Sequence, residues 1–227
     1  MNIACGTCPV RESAACAVLS EAERKVLAKA GRTRDLARGE MLFAAGDAKA
    51  ACATLVTGAL KVSSYDADGH ERILALIHPA GFVGEMFAPF PSHDVVALTD
   101  SRLCVFARSE MEDALERYPE LARALFRRSQ EDLHQARELL ALGSGRSANA
   151  QVAGMMRAMA QAASHSPCHA AQRFDLPMTR GELGNMLGLT IETVSRAITA
   201  LEKMGAIRRN GARGIEVLDP ARLAEAA

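Results

Sequence analysis

Apolar runs of two kinds divide the chain into a β-rich segment followed by helical segments. Between about residues 33 and 107 the runs are short and alternate with glycines, and two of them, at 55–65 and 72–77, flank the turn-forming letters DADG. Short runs bounded in this way are typical of a compact antiparallel barrel or roll. From residue 109 onward the apolar positions recur every three or four residues, which predicts helices.

Capping-box and proline signals predict where the helices begin. Ser20 with Glu23, and Ser109 with Glu112, have the spacing of capping boxes, and Pro119 suits the first turn of a longer helix. One face of this longer helix is mostly apolar, and we expect it to pair with the same helix of a second chain. The residues predicted for that dimer face are Leu125, Ser129, Asp132, Leu133, Ala136 and Leu140.

A helix-turn-helix pattern lies near the C-terminal end. Thr179 and Glu182 have capping-box spacing, a short helix runs to the turn letters LGL at 187–189, and a longer helix begins at Thr190. Two β-like runs then follow, joined by Asn210-Gly211, the turn pair typical of a tight hairpin. The combination predicts a winged helix-turn-helix.

The second helix of this pattern has a polar face suited to a major groove. Glu192, Ser195 and Arg196 are spaced i, i+3 and i+4, so they share one side of the helix. The whole chain carries 27 basic and 27 acidic residues, but residues 172–215 hold seven bases against four acids. A local basic module of this kind favours phosphate contacts. The residues predicted to bind DNA are Arg180, Glu192, Thr193, Ser195, Arg196, Arg208, Arg209 and Arg213.

Length and composition narrow the class of protein. The chain is long enough for two domains that each bury a core. It has neither a basic run followed by an apolar stretch at its start nor an apolar window long enough to span a bilayer, so we expect a cytoplasmic protein without membrane contact. It also lacks a glycine-rich phosphate loop and a nucleophile–base arrangement, so we expect no enzyme activity.

Half of the six cysteines lie within the first sixteen residues. Cys5, Cys8 and Cys16 stand on a segment that looks too short and small-sided to belong to a core. In a reducing compartment, clustered thiols are more often metal ligands or redox groups than disulfides. Cys52 lies in an apolar run and is predicted to pack as a small hydrophobe. Cys168 stands beside His165 and His169, where a further metal site is conceivable.

These features together resemble the CRP/FNR family of transcription regulators over residues 19–218. The letters GLTIETVSRAI resemble the recognition helix of the FNR branch, which implies that Glu192, Ser195 and Arg196 read the half-sites of a palindromic DNA box. The resemblance also implies binding to double-stranded DNA as a homodimer, and contact with RNA polymerase. Sensors of this branch hold an oxygen-labile 4Fe-4S cluster on three N-terminal cysteines and one at the end of the roll. The ligands so implied are Cys5, Cys8, Cys16 and Cys104.

The expected fold class is α+β, with an antiparallel β-roll of the cyclic-nucleotide-binding jelly-roll type, a long dimerisation helix and a winged helix-turn-helix. We assign residues 1–18 to the cluster-binding segment, 19–108 to the roll, 109–143 to the dimerisation region and 144–227 to the DNA-binding domain. The expected function is a transcription regulator that senses oxygen, a redox change or nitric oxide. A flexible N-terminal segment would wrap three thiolates around the cluster. Arg11 and Arg102 would either help to keep those thiolates ionised or be solvated surface residues.

Several alternatives remain open at this stage. The roll of a haem-type sensor would use His70 or His78 as an axial ligand, and a zinc or thiol-based sensor would use the cysteines differently. The N-terminal cysteines would be incidental if the segment were a disordered tail, and an iron-sulfur electron-transfer protein would need no recognition helix. Cyclic nucleotide is not expected, because the residues after Glu85 include no Arg or Lys to neutralise a cyclic phosphate until Arg102.

Overall fold

A computed structural model describes residues 5–47, 51–86, 88, 91–143, 147–164 and 169–227 of the chain. The chain divides into two compact units, Met1–His134 and Gln135–Ala227. The boundary falls inside the longest helix, whereas the pattern of the sequence places domain limits at the two ends of that helix.

The first unit contains the β-rich segment and the helices that flank it. The elements in chain order are α1 (Glu21–Ala30), β1 (Arg32–Leu36), β2 (Met41–Phe43), β3 (Ala51–Thr57), β4 (Leu60–Tyr65), β5 (Glu71–Ile77), β6 (Phe82–Val83), β7 (Asp94–Ala97), β8 (Ser101–Ala107), α2 (Arg108–Arg117) and α3 (Pro119–Gly143). The strands form two four-stranded antiparallel sheets, ordered β1-β8-β3-β6 and β2-β7-β4-β5.

The two sheets enclose one apolar core, in which Leu55, Leu60 and Leu103 are fully buried. The predicted run at 55–65 is in fact parts of two strands, β3 and β4, separated at Gly58. Gly58 has a φ of +94°, and a Cβ there would lie 2.6 Å from the carbonyl oxygen of Asp100. Only glycine fits this close approach, so the chain reverses at that point and the two strands enter different sheets.

The helix starts follow the local sequence signals with one exception. Reciprocal capping boxes form at Ser20 with Glu23 and at Thr179 with Glu182, as predicted. The box predicted at Ser109 is wrong, because β8 runs directly into α2 and Ala107 takes the cap position. The carboxylate of Glu110 there accepts a hydrogen bond from the Ala107 amide at 3.2 Å.

The second unit is a helical module with a small sheet. Its core includes Met155, Leu183, Ile198, Leu201 and Ile207, each at most 1% exposed. The elements that follow the end of α3 are α4 (Ala148–Ala162), β9 (Arg173–Asp175), α5 (Arg180–Leu187), α6 (Ile191–Lys203), β10 (Ile207–Asn210), β11 (Gly214–Val217) and α7 (Pro220–Glu225). The three strands form an antiparallel sheet with the order β10-β11-β9. Strand β9 was not apparent from the sequence pattern.

The predicted wing hairpin is present, but its turn is longer than the sequence suggests. Asn210 pairs with Gly214, so residues 211–213 form a three-residue loop in place of a two-residue Asn-Gly turn. Gly211 occupies the left-handed region with a φ of +69°. With this adjustment, the expected fold class is confirmed: an antiparallel β-roll, a long helix and a winged helix-turn-helix in one α+β chain.

Candidate functional site

The N-terminal cysteine segment packs against the β-roll. Cys5 begins one short 3-10 turn, Cys5–Thr7, and Cys16 lies in a second one, Ala15–Val18. Between them Val10 and Ala14 are 6% and 3% exposed, and they belong to a cluster that includes buried residues of the roll. The expectation of a flexible, coreless segment is therefore wrong, because its small side chains allow close packing on the sheet.

Cys104 reaches the same place from the roll. It lies on β8, where Leu103 and Val105 point into the core between the sheets and Cys104, with Phe106, points to the opposite face. Helix α1 and the N-terminal segment cover that face. The resulting cavity encloses about 650 Å³ of space not filled by atoms, including its open mouth. All four predicted ligands line this cavity: Cys5, Cys8, Cys16 and Cys104.

The spacing of the four sulfur atoms distinguishes between kinds of metal centre. Among the described residues, no three of these sulfurs lie within 4.8 Å of one another. A tetrahedral zinc ion with Zn–S bonds of about 2.3 Å needs its sulfur ligands roughly 4 Å apart. As placed, the four thiols are too far apart to share one such ion.

The cavity disfavours ionisation of its thiols when no metal is bound. Burial raises the pKa of Cys104 to about 12, and repulsion from Cys8, Cys5 and Cys16 adds to the effect. Burial is also the main reason why the pKa values of Cys5 and Cys16 are raised. A bound metal reverses this balance by replacing the thiol protons, so metal binding and thiol deprotonation are coupled here.

The cations near these thiols differ from those expected. Arg102 donates through Nε to Asp35 Oδ1 at 2.7 Å and does not line the cavity, so its predicted role is wrong. Arg11 does line the cavity and lowers the pKa of Cys5, although its Nε also lies 3.4 Å from Glu12 Oε1. A cation that the sequence reasoning missed, Arg24 on α1, lines the cavity as well. The sequence contains a signal for this position, because Arg24 lies three residues before the inward-facing Leu27 and so shares its side of the helix.

The other cysteines and histidines lie apart from this cavity. Cys52 is fully buried in an apolar cluster, as predicted, and burial raises its pKa to about 12. His70 is exposed and contacts Asp66, while His78 is half-buried with a pKa lowered by desolvation, and neither lines the cavity. The suggested site at Cys168 and His165 lies outside the described residues.

The carboxylate of Glu85 is satisfied within the chain. It accepts hydrogen bonds from the backbone N–H of Ser92 at 3.0 Å and from its hydroxyl at 2.8 Å, and His93 Nδ1 lies 3.6 Å away. The segment between Glu85 and Arg102 includes no Arg or Lys in the sequence. The absence of cyclic-nucleotide binding stays a prediction that rests on this missing cation.

Of the residues predicted for the dimer face of helix α3, Leu133 and Leu140 are exposed, whereas Leu125 is half-buried. Leu125 packs with Leu121 against the apolar cluster of the roll, and both line the cysteine cavity. The exposed apolar residues are Phe126, Leu133 and Leu140, spaced by seven residues, which we call the α3 stripe. Phe126 was missed by the sequence reasoning. Of the remaining predicted dimer residues, Ser129 is exposed, while Asp132 and Ala136 are half-buried.

Asp132 and Ser129 have identifiable environments on this helix. Partial burial raises the pKa of Asp132, with Arg128 opposing the shift. The Ser129 hydroxyl donates to the carbonyl oxygen of Leu125 at 3.1 Å, which satisfies it within the helix. Polar groups therefore flank the α3 stripe without interrupting its apolar residues.

In the second unit, the helix-turn-helix is closed by a tight turn. Gly188 ends α5 in the left-handed region, and the Leu189 amide donates to the carbonyl oxygen of Gly184 at 2.9 Å. A Cβ at Gly184 would lie only 2.5 Å from the Leu189 carbonyl oxygen, so this approach requires glycine. Helix α6 then buries Val194, Ile198 and Leu201, as predicted, and leaves its polar face outward.

The predicted reading face of α6 is held in place by its own hydrogen bonds. Arg196 Nη2 donates to Thr193 Oγ1 at 3.3 Å, and Arg180 Nη1 from α5 donates to Ser195 Oγ at 3.3 Å. Glu192 is exposed near the N-terminus of the helix. Its pKa is lowered by a backbone hydrogen bond and by Thr190, with Arg196 contributing less. The predicted reading residues therefore lie together on one accessible surface.

Two of the wing arginines are paired with acidic side chains, which makes them less available for phosphate contacts than the sequence suggests. Arg208 Nη1 lies 3.2 Å from Glu216 Oε2, and Arg173 contacts Oε1 of the same carboxylate at 2.8 Å. Arg209 Nε donates to Glu202 Oε2 at 2.8 Å. Arg213, in the three-residue turn, has no ion pair with any residue that the structure describes.

A β-roll with a thiol-lined cavity, followed by a long helix and a winged helix-turn-helix, is the architecture of a DNA-binding regulator. In the described part of the chain, no helix is both long enough and apolar enough to span a bilayer. Residues 121–226 match the Crp-like helix-turn-helix domain family, and residues 33–118 match the cyclic nucleotide-binding domain family.

Individual relatives agree with this class. The chain is 33% identical to the transcriptional activator protein FnrL of Cereibacter sphaeroides over 226 residues, covering 98% of this chain and 91% of that protein. It is 31% identical to the nitrogen fixation regulation protein FixK of Bradyrhizobium diazoefficiens, covering 96% and 92%. The solved structure of FixK2 from Bradyrhizobium japonicum superposes with a TM-score of 0.78 at 27% identity, covering 86% and 96%.

The chain belongs to the CRP/FNR family of transcription regulators. It is therefore a DNA-binding transcription regulator, and regulators of this family typically act as dimers. Its homologues are regulators, a class of protein that generally has no enzyme activity.

Proposed function

We propose that this regulator responds to oxygen through a 4Fe-4S cluster held by Cys5, Cys8, Cys16 and Cys104. The observation that carries the proposal is the convergence of these four thiols in one cavity, although 88 positions separate the last two in the sequence. Four cysteine thiolates are the ligand set that such a cluster requires. The sulfur spacing, wider than one zinc ion accepts, supports the same group.

The rest of the cavity wall suits a protected metal group. Apolar side chains from the roll, including Val56, Phe82 and Phe106, surround the thiols and limit the access of water. When bound, the cluster supplies chemistry that reacts with oxygen. The protein side chains position the thiolates and control solvent access, which are two of the factors that set the properties of an iron-sulfur centre.

The same cavity offers a physical route to the dimer interface. Leu121 and Leu125, in the first turns of α3, form part of its wall, while the α3 stripe begins at the adjacent Phe126. Occupation of the cavity therefore favours one position of α3 and, through it, one arrangement of the stripe. An equilibrium between monomer and dimer that depends on cavity occupation is the coupling that a sensor needs.

Dimerisation controls DNA binding because two recognition helices engage two half-sites at once. Glu192, Ser195 and Arg196 read base edges of a palindromic box of the FNR type, and Arg180, Thr193 and the wing arginines support them. The proposed setting is the cytoplasm, with RNA polymerase as a further partner. The activator titles of the relatives support a positive effect on transcription.

The decisive experiment is purification without oxygen, followed by measurement of the absorption spectrum and of iron and sulfide content. We expect four iron and four sulfide per chain, a broad visible band, and bleaching of that band in air. Stoichiometric zinc, a haem spectrum, or a metal-free protein that binds the palindrome at full affinity would contradict the proposal. Repeating the exposure with nitric oxide in place of air compares the two signals directly.

A further inference from the structure

Arg24 is half-buried, and part of its charged group is enclosed by the protein. It lies on α1, one position beyond Glu23 of the capping box, and its side chain lines the cavity with the four cysteines. Its Nε and Nη1 atoms are inaccessible to solvent and have no hydrogen-bond partner in the described part of the chain. A buried charged donor without an acceptor is strongly unfavourable, so its retention needs an explanation.

The carboxylates closest in sequence do not supply the missing acceptor. Glu21, on the exposed side of the same helix, lies 3.2 Å from Lys25, and its pKa is lowered mainly by that lysine. Glu23 is hydrogen-bonded to the backbone of Ser20 in the capping box. Glu12 contacts Arg11. The other polar side chains that line the cavity with Arg24 are the four thiols, the hydroxyl of Thr54 and the cation of Arg11.

We propose that the guanidinium of Arg24 donates hydrogen bonds to sulfur atoms of the metal group that the four cysteines hold, and that its charge sets how readily this group is oxidised. This inference rests on the proposed function. Four thiolates concentrate negative charge in an apolar cavity, and a fixed cation beside them stabilises the more negative, reduced form. Hydrogen bonds to cluster sulfurs act in the same direction. The lowering effect of Arg24 on the pKa values of Cys5 and Cys16 is consistent with this position.

The first test compares Arg24→Leu with Arg11→Leu in the full-length protein prepared without oxygen. Arg11 is the matched control because it lines the same cavity but has a carboxylate partner and an accessible side chain. We expect Arg24→Leu to move the midpoint potential of the cluster to more negative values and to speed bleaching in air several-fold. Arg11→Leu should change both much less, and Arg24→Lys, which keeps the charge, should lie between wild type and Arg24→Leu.

The second test measures the melting temperature of the protein with and without the cluster. Without metal, two buried nitrogen atoms of the Arg24 guanidinium have no acceptor, so Arg24→Leu should raise the melting temperature of the metal-free protein. With the cluster assembled, the same substitution should lower the melting temperature, because the hydrogen bonds to sulfur are lost. A residue with a merely structural role would lower both, and that result would overturn the inference.

The outcomes separate this inference from the proposed function. A wild-type protein that assembles the cluster, with unchanged potential and bleaching rate in Arg24→Leu, contradicts only the role of Arg24. If Arg24→Leu fails to fold, Arg24→Gln replaces it, because glutamine removes the charge and keeps a hydrogen-bond donor, and a wild-type potential and bleaching rate in Arg24→Gln would refute the role of the charge. A wild-type protein that assembles no cluster overturns both proposals.

Discussion

The two functional regions of this chain differ in how well their polar groups are satisfied. In the helix-turn-helix unit, Arg180 bonds to Ser195, Arg209 bonds to Glu202, and Glu216 contacts both Arg173 and Arg208. In the cysteine cavity, the pKa values of Cys5, Cys16 and Cys104 are raised, and two nitrogen atoms of Arg24 have no acceptor. In the helix-turn-helix unit these side chains already have partners within the protein. In the cysteine cavity, buried polar groups have none, and a ligand would satisfy them.

This contrast indicates different roles for the DNA-binding surface and the cysteine cavity. A recognition surface whose side chains are already held by their own hydrogen bonds loses little conformational entropy on binding DNA. A cavity that disfavours both its thiolates and its buried cation gains stability when a metal group arrives. Under the proposed function, the DNA-binding unit supplies specificity in either state, while the roll and its cysteine cavity would supply the free-energy change that switches the protein. The following predictions test that division.

The largest effect is expected from loss of a cavity thiol. Cys104→Ser should abolish cluster assembly, because a rigid strand position cannot be replaced by a neighbouring residue. Iron and sulfide content and the visible spectrum measure this loss. Hydrogen exchange of the helix-turn-helix amides should remain as in wild type, since that unit has its own core.

Cys52→Ser is the control for this substitution, because Cys52 is buried at the roll but does not line the cavity. It should lower stability and leave the metal content unchanged. Assembly of a normal cluster in Cys104→Ser, or loss of protection across the helix-turn-helix in the same variant, would break the comparison between the two regions.

Local signals were sufficient to predict much of this architecture from the sequence. The boxes at Ser20 and Thr179 form as predicted because a cap depends on residues three positions apart. The turn at Gly188 and the buried face of α6 were likewise apparent, since both depend on short spacings. The convergence of the cysteines was implied only by the resemblance to a family, because no local rule connects Cys16 with Cys104.

What the sequence did not predict depends on long-range contacts or on helix phase. Leu125, predicted for the dimer face, packs on the roll, while the adjacent Phe126 is exposed, and this difference of one residue corresponds to about 100° around a helix. The pairing of Arg208 with Glu216 requires the β10–β11 register, which the longer turn shifted. The position of Arg24 on the inner side of α1 is indicated only by its three-residue spacing from Leu27, and its mostly charged neighbours obscure that signal.

The next largest effect concerns the α3 stripe. Leu133→Asp should place two unpaired carboxylates in the dimer interface, at a cost of at least about 3 kcal/mol. The cluster should still assemble, because Leu133 does not line the cavity. Sedimentation of the anaerobic variant should therefore show a metal-loaded monomer. His134→Asp, an exposed neighbour outside the stripe, is the control and should remain dimeric. A dimeric Leu133→Asp would mean that the interface lies elsewhere.

A smaller, sequence-dependent effect is expected on the reading face. Arg196 is exposed on α6, and an arginine donates two hydrogen bonds to guanine O6 and N7. Arg196→Ala should cost about 1–3 kcal/mol in binding and relax preference at one base pair of each half-site. Titration of the anaerobic protein against the palindrome and its single-base variants measures both. Full base discrimination in this variant would show that α6 is not the reader.

The smallest effect distinguishes two wing arginines that look equivalent in the sequence. Arg213 has no ion pair among the described residues, whereas the charge of Arg209 is partly neutralised by Glu202. Arg213→Ala should therefore weaken binding to all DNA sequences about equally and reduce the slope of log K against log salt by about 0.9. Arg209→Ala should reduce that slope less, because forming a phosphate contact there first requires the Glu202 pair to open. The measurement is a set of titrations at several salt concentrations with a specific and a nonspecific duplex. Equal slopes for the two variants would mean that the Glu202 pair does not limit phosphate contact, and a change of base preference in Arg213→Ala would place the wing among the sequence readers.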